Sequence, residues 1–407
     1  MQVAIIGGGA AGQLAAIYAA RGGYDVSLFE KNEKLGKKLY ITGKGRCNVT
    51  NACERADFFA NIPRNPRFLY SAFSAFDNAD IVALLQGQNV PTKVERGQRV
   101  FPASDKSSDV LGALRREVAA AGARVCLNTE VTEIIAAEGE VRGLRFADGS
   151  EQDFSAVILA AGGLSYPQTG STGDGYRFAR ALGHSIVEPT GALTPFETEE
   201  TWCAALSGVT LKNVTLTAVQ GGKTVYKELG ELLFTHFGIS GPLALTCSSC
   251  LAQPAAGTKL YIDLKPGLSA EQLDKRLLRD LADGARKTLG GALSGLLPAR
   301  LLATVLALAK LNATKTASEC TKAERRTLAE MLKAVPLMVR DLRCIDEAII
   351  TRGGVDLREV NPKTMESRIV RGLYFAGEVL DVDAFTGGFN LQIAWSTGAL
   401  AGRSVSE

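Results

Sequence analysis

At 407 residues, with 46% apolar and 22% charged side chains, the chain has room for two or three domains and the composition of an ordinary globular enzyme, which excludes a disordered one. Its formal charge of +3 is small for this length and gives no argument for nucleic acid as the main partner. No run reaches the roughly 18 apolar residues of a membrane helix, and eight scattered cysteines with no signal-peptide pattern before Val3 predict a reducing, cytoplasmic setting.

Val3 to Ile6 form a short apolar run suited to a buried parallel strand. Gly7, Gly9 and Gly12 follow as G-x-G-x-x-G, then a helix-forming stretch from Gln13 to Arg21 and a second strand from Asp25 to Phe29 that ends at Glu30. In a nucleotide-binding strand–helix–strand unit the first glycine permits the tight turn, the second lets a pyrophosphate approach the backbone, and the third lets helix and strand pack closely. The helix start offers free amides to the phosphates, and an acid placed like Glu30 accepts hydrogen bonds from ribose hydroxyls. Next comes KNEKLGKKLYITGKGRCNVTN, a polar loop in which amides near Gly43 and Gly45 can lie along a bound cofactor and Lys37, Lys38, Lys44 and Arg46 are available to anions.

A helical, polar excursion is predicted from about 54 to 120. Strands follow at Arg124–Glu130, Val131–Ala136 and Val141–Phe146, with Asp148-Gly149 as a hairpin turn. The strand-then-glycine theme recurs at Val157 to Gly163. From about 191 the character changes to threonine- and valine-rich antiparallel β structure with a Gly221-Gly222 turn, and Ser269 to about Lys333 has helical spacing. From Ile345 the chain returns: a strand, Gly372 to Ala376, meets Gly377-Glu378, and Thr386 to Asn390 leads into a helix over Leu391–Ala401. A cofactor touched by glycine turns at both ends of the chain is long, which favours FAD over NAD. Without a second complete G-x-G-x-x-G, NAD(P)H would visit only transiently as electron donor.

Seven segments carry a resemblance: GGGAAG (7–12), TGKGRCNVTN (42–51), AAGGLSYPQTGSTGDGY (160–176), ELLFTHFGISGP (231–242), TRGGV (351–355), EVNPKTMES (359–367) and GLYFAGEVLDVDAFTGGFNLQIAWSTG (372–398). In these the chain resembles the HI0933-like flavoproteins, a family that includes bile acid reductases and aminoacetone oxidases. The resemblance implies an α/β architecture: a FAD-binding Rossmann-like domain of the glutathione-reductase type in two segments, 1–190 and 345–407. Between them it implies an inserted domain, 191–344, with a small β-barrel (191–266) and a helical portion (267–333). It implies FAD held non-covalently, with cofactor contacts from Gly7, Gly9, Ala10, Ala11, Gly12, Glu30, Lys31, Lys38, Thr42, Gly43, Gly45, Arg46, Cys47, Asn48 and Val131. Ala161, Gly162, Gly163, Gly377, Glu378, Asp383, Gly387, Gly388, Asn390 and Leu391 complete the implied set.

Reduced flavin carries negative charge near N1 and O2, which a helix N-terminus stabilises. The turn at Gly387–Asn390 is the candidate for that place, and Glu378 or Asp383 for the ribitol or pyrophosphate. His236, in LFTHFGISGP, is either a general acid or a packed histidine. Tyr166 is a second proton donor or an aromatic wall beside the cofactor. Arg46 holds an acidic or carbonyl substrate, or a FAD phosphate. His184, after Leu182-Gly183, is read as structural at a helix end. Cys247 and Cys250 share a helix face and are read as small buried side chains. No His/Cys cluster has zinc spacing, and no metal is expected.

The expected function is NAD(P)H-driven reduction of an activated C=C, an enone such as a 3-oxo-4-ene steroid or bile acid, by hydride transfer from flavin N5. Oxygen-dependent oxidation of a small amine such as aminoacetone is the alternative enzyme, and a non-enzymatic flavin redox sensor the alternative of another class. The expected partner is a small molecule, with no nucleic acid and no membrane; oligomeric state is left open.

Overall fold

Five parallel strands organise the first part of the computed structural model, which describes residues 1–406. They are β1 (Gln2–Ile6), β2 (Asp25–Phe29), β3 (Arg124–Cys126), β4 (Ala156–Leu159) and β5 (Leu373–Phe375), in the order β5-β4-β1-β2-β3. The central strand is covered on both faces, so Val3, Ala4 and Ile5 are fully buried and the run is apolar without alternation. Helix α1 (Ala10–Arg21) follows β1, α2 (Lys37–Gly45) follows β2, and α3 (Phe389–Ser404) comes after β5. Between β3 and β4 runs an antiparallel sheet of Val131–Ala137, Glu140–Phe146 and Glu151–Asp153. Its Phe146 packs on Phe29 at the end of β2, ring centroids 5.0 Å apart.

By contacts the chain forms two units, Met1–Ala192 with the chain from Ile345 onward, and Leu193–Cys344. The second unit contains a closed six-stranded barrel in the order Phe196–Thr198, Gly238–Ser240, Lys223–Phe234, Thr210–Gln220, Lys259–Asp263, Val335–Leu342. At Gly221 and Gly222 both φ angles are positive (56° and 77°), the geometry a two-residue hairpin needs. The sequence ends the β region at 266, yet Val335–Leu342 returns after the helices and pairs with both Lys259–Asp263 and Phe196–Thr198. Closure removes the two exposed edges the barrel would otherwise present. The helices Ala270–Asp283, Leu289–Ala292, Ala299–Leu308 and Lys322–Lys333 are therefore inserted between two neighbouring barrel strands. In the helix Pro242–Cys250, Cys247 is fully buried and its thiol pushed far up by burial, so it is inert packing.

The excursion from 54 to 120 is not purely helical. Thr92–Glu95 and Arg99–Pro102 form a hairpin turned at Gly97 (φ 75°) and joined by Thr50–Asn51. The strands are too short for a periodic signal. Within the same region Pro66–Gly87 has the length and hydropathy of a membrane span. The structure breaks it: Phe76 is extended (φ −153°, ψ 101°), and Asp77 caps a new helix with Asp80 as its reciprocal partner.

His184 is buried, its Nε2 2.9 Å from Ser367 Oγ, its Nδ1 3.2 Å from Glu359 and its ring edge-on to Phe375. Burial lowers its pKa, against the opposing pull of Glu359. The folded form therefore prefers the neutral ring. Its contribution to stability is present above the unfolded pKa near ~6.5 and is lost as pH falls below it. Melting temperature is expected to drop between neutral pH and mild acid, and the drop to shrink in His184→Gln. An unchanged pH slope in the variant would show that other groups govern acid stability.

Candidate functional site

The turn from β1 to α1 is as tight as its glycines allow. Gly7 has φ 103°, and a Cβ there would lie 2.5 Å from Ala160 O; a Cβ on Gly12 would lie 1.8 Å from Gly7 O. Gly9, by contrast, has no atom within 4 Å of where its Cβ would stand, so the space above it is open. Gly9 is the N-cap of α1 and offers no side chain to the first-turn amides, among them those of Ala10 and Ala11, and that turn holds no acid. Open space beside uncapped amides of like polarity suits an anionic group.

Glu30 locks this turn in place. Its Oε2 accepts the Gly8 amide (2.8 Å), and its Oε1 accepts both the backbone and the side-chain amide of Asn32 (2.9 and 2.7 Å). Lys31, next in sequence, turns away to Asp174 and Thr172, each at 2.6 Å.

The second end of the site is the start of α3. Its N-cap, Gly388 (φ 99°), carries no side chain, and a Cβ there would lie 2.4 Å from Thr50 O. Its first turn, which includes Leu391, contains no acid. Gly387 is held by Asn51 through its carbonyl (3.0 Å), and the Asn48 amide oxygen accepts from Gly388 N (3.0 Å). Asn390 is spent on the loop itself: its amide exchanges two 2.8 Å bonds with the backbone of Ala384.

Both helix starts are set in one frame. A Cβ on Gly398 would lie 2.3 Å from Ala11 O, and one on Gly402 2.5 Å from Ala15 O, so α3 packs parallel to α1. Residue 398 lies beside 11 and 402 beside 15, which places the start of α3 about eight residues, or ~12 Å, beyond the start of α1. Gly377 joins them: its amide donates to Thr397 Oγ1 (2.9 Å), and a Cβ on it would lie 2.8 Å from that of Ala11.

A charged network joins four distant segments of the same unit. Lys38 Nζ lies 2.6 Å from Glu378 and from Ser165 Oγ, and Ser165 Oγ lies 3.1 Å from Glu378. Thr351 donates its amide to Glu378 (2.9 Å), while its hydroxyl accepts from Leu164 N and Ser165 N (2.8 and 3.2 Å). Gly163 must be glycine for this, since a Cβ would lie 2.3 Å from Thr351 Oγ1. Gly162 (φ 77°) and Ala161 lie just before it, at the end of β4. Thr351, Ser165 and Gly8 are absent from the sequence-derived site; Thr351 stands in the TRGGV motif, but nothing in one chain says that its hydroxyl faces Gly163. Asp383 is fully buried, with Oδ2 3.3 Å from Arg352 and Oδ1 unpartnered among the described residues. A buried carboxylate oxygen of this kind calls for a donor, which a ligand hydroxyl supplies.

After Thr42 the backbone runs left-handed at Gly43, Lys44, Gly45 and Cys47 (φ 57°, 60°, 82° and 59°). Two non-glycine residues so placed within six mark a segment held by its surroundings for a purpose beyond turning. Cys47 is buried and pushed up to about 12 by desolvation, so it is no nucleophile. Arg46 is committed to carboxylates: it pairs with Glu95 and Asp105 and stacks 4.1 Å over Phe101. Its charge is answered within the chain. Val131 is buried at the start of the antiparallel sheet, paired with Phe146.

Tyr166 is half-buried and held at φ 55°. Burial and then Glu347 raise its pKa, so the phenol keeps its proton. Its amide donates to Asp346 O (3.2 Å) and its carbonyl accepts from Thr169, which pins the backbone, while no hydrogen-bond partner among the described residues holds the hydroxyl. His236 is exposed in the turn between two barrel strands, edge-on to Phe237; it belongs to the other unit.

These features fit FAD: a pyrophosphate at α1, ribose hydroxyls at Glu30, a buried acceptor at Asp383, and a helix start ~12 Å further on for the flavin ring.

The chain matches the HI0933-like protein Rossmann domain over residues 1–404. It is 34% identical over 412 residues to a 3-dehydro-bile acid delta(4,6)-reductase of Clostridium scindens, covering 100% of this chain and 99% of that protein. It is 32% identical over 407 residues to a ribosomal RNA dihydrouridine synthase of Haemophilus influenzae, covering 99% and 98%. A 3-ketosteroid delta1-dehydrogenase structure from Sterolibacterium denitrificans superposes with a TM-score of 0.53 at 15% identity, covering 98% of each chain, which speaks to the fold.

Gly9→Ala is expected to fold with an unchanged apoprotein melting temperature and to bind FAD at least tenfold more weakly, read by flavin absorbance after dialysis. Gly12→Ala is expected to lose the fold itself. Equal flavin retention by Gly9→Ala and the wild type would remove the pyrophosphate from this turn.

Proposed function

The chain belongs to the HI0933-like family and has the FAD-binding oxidoreductase fold, and from that premise we propose that it reduces a C=C bond conjugated to a carbonyl, using FAD held non-covalently and NAD(P)H as the source of electrons. Bound FAD supplies a hydride donor at N5. The observation that carries the reading is the pair of parallel, uncapped helix starts ~12 Å apart, one placed for phosphates and the other for negative charge on a reduced ring.

Two substrate classes named for relatives share one electronic feature. A 4-ene-3-one steroid and the uracil ring both present a C=C whose far carbon is made electrophilic by a carbonyl. The hydride goes to that carbon, the carbonyl withdraws the electron pair, and a proton is delivered to the carbon beside it. Tyr166 is the residue assigned to that proton: it stays protonated, is half-buried, and its hydroxyl is not spent on the fold. Solvent restores the proton afterwards. Lys38 and Glu378 hold the segments bearing Ser165 and Thr351 together, which keeps the backbone leading to Tyr166 in place.

The test is an anaerobic titration of the flavin-loaded protein with NADH and then NADPH, following the oxidised-flavin band. Bleaching, followed by reoxidation with a 4-ene-3-one or a uridine-containing RNA, is the expected result. Bleaching by small amines instead would replace this reading with amine oxidation. Tyr166→Phe is expected to slow reoxidation by roughly 100-fold or more at unchanged flavin content; an unaffected rate would assign the proton elsewhere.

A further inference from the structure

Asp381 is a buried acid to which neither the fold nor the reaction gives a close partner. Arg64 approaches its carboxylate at 3.3 Å and Asn65 at 3.4 Å, and Oδ1 accepts no hydrogen bond among the described residues. Other buried acids of the same unit are held more firmly. Glu30 gathers three bonds of 2.7 to 2.9 Å, and Asp356 has Arg358 Nε at 3.0 Å from both of its oxygens. Asp383 has Arg352 on one oxygen, and the other is open to a ligand hydroxyl. A carboxylate buried on contacts as long as those of Asp381 costs stability, and an amide of the same shape would keep them without that cost.

Three neighbours fix its place. Asp381 N donates to Val355 O (3.2 Å), and the strand Ile350–Val355 comes so close that a Cβ on Gly354 would lie 2.4 Å from Val379 O. The loop 61–65 holds the same segment: Asn65 Nδ2 donates to Asp381 O (2.9 Å), and Phe385 N to Asn61 O (3.0 Å). Three residues beyond Asp381, Ala384 is joined by two 2.8 Å bonds to Asn390 in the first turn of α3. At most ~10 Å of chain therefore separates Asp381 from a group bonded to the helix start that faces the flavin ring.

We propose that the Asp381 carboxylate takes up one proton from solvent when the bound flavin is reduced, and gives it back when the flavin is reoxidised. A hydride from NAD(P)H brings two electrons and one proton to the ring and leaves one negative charge there. The second proton binds at Asp381, so the charge of the site stays constant; hydride transfer out of the ring reverses both changes. Burial raises the pKa of Asp381 first of all, and Asp383 and Asp356 add to that, while Arg64 and the Gly353 amide pull it down. Arg352 and Arg358 face Asp383 and Asp356. A negative ring at the start of α3 adds one more charge of the raising sign. The contact with Arg64, whose side chain is 36% exposed against 9% for Asp381, is the way in for the proton. The inference rests on FAD binding and flavin reduction, and not on which conjugated C=C is the acceptor.

The experiment measures the midpoint potential of FAD bound to the full chain, by equilibration with a redox dye, from mild acid to mild alkali. The wild type is expected to show a span of pH in which the potential falls more steeply, by one extra proton per two electrons, or up to ~30 mV per pH unit. In Asp381→Asn that extra slope is absent, and the potential meets the wild type's in acid and lies above it in alkali. A unit charge about 10 Å away inside a protein changes proton affinity about tenfold, so the gap in alkali is ~30 mV. Arg64→Gln removes a cation that favours the ionised carboxyl, and the steep span moves to higher pH. Flavin content and melting temperature confirm that each variant is loaded and folded. A wild type of uniform slope overturns the proposal, as does a steep span that Asp381→Asn retains, which puts the second proton on the ring. Should Asp381→Asn lose its flavin, Arg64→Gln decides, and a steep span left at its wild-type pH is equally fatal. Failure of the reaction reading is seen separately: the potentials would behave as expected while neither NADH nor NADPH reduces the flavin.

Discussion

The contact that everything in the cofactor site depends on is the one between α1 and α3. Two glycines four residues apart, Gly398 and Gly402, bring the backbone of the last helix against Ala11 and Ala15 of the first. With no side chain between them, the two helices meet at a single register. That register decides where two positive helix ends point and how far apart they are. A methyl group at either glycine would separate the helices or slide one along the other. The spacing between the two helix starts would then change before any residue of either glycine turn was touched.

Given that frame, the rest of the site reads as bracing. Glu30 uses both carboxylate oxygens to hold Gly8 and Asn32, and Asn390 uses its whole amide to close the loop before α3. Lys38, Glu378, Ser165 and Thr351 tie together segments from four parts of the chain. Partly buried charge pairs like Lys38–Glu378 contribute little net stability once desolvation is counted, and they serve better as devices of position. Arg46 fits the same pattern. A guanidinium that already faces Glu95 and Asp105 fixes the left-handed turn after Thr42 to the nearby hairpin, and its charge is not left over for a substrate.

What the sequence makes legible follows from how local each signal is. The first strand, the three glycines, the first helix and Glu30 lie within 30 residues, and their chemistry can be read from spacing because turn, helix start and strand end are all local events. The closing barrel strand Val335–Leu342 is invisible for the opposite reason: its partners are 72 and more residues away in the chain, and its own pattern is short. The hairpin of Thr92–Pro102 is missed because its strands have four residues each. Thr351 and Gly163 are a pair only in space. Gly398 and Gly402, by contrast, are legible in the sequence, since small residues at i and i+4 on a buried helix announce a close neighbour.

Hydride addition to a conjugated C=C asks little of the acceptor beyond a carbonyl in the right place, so a site of this kind does not by itself choose between a steroid and a nucleobase. Selection has to come from what holds the rest of the substrate. A steroid is an apolar body that needs a large hydrophobic enclosure, and its binding is indifferent to salt. A uridine within RNA is a small polar ring on a long polyanion, and most of its binding energy is drawn from phosphates far from the reacting carbon.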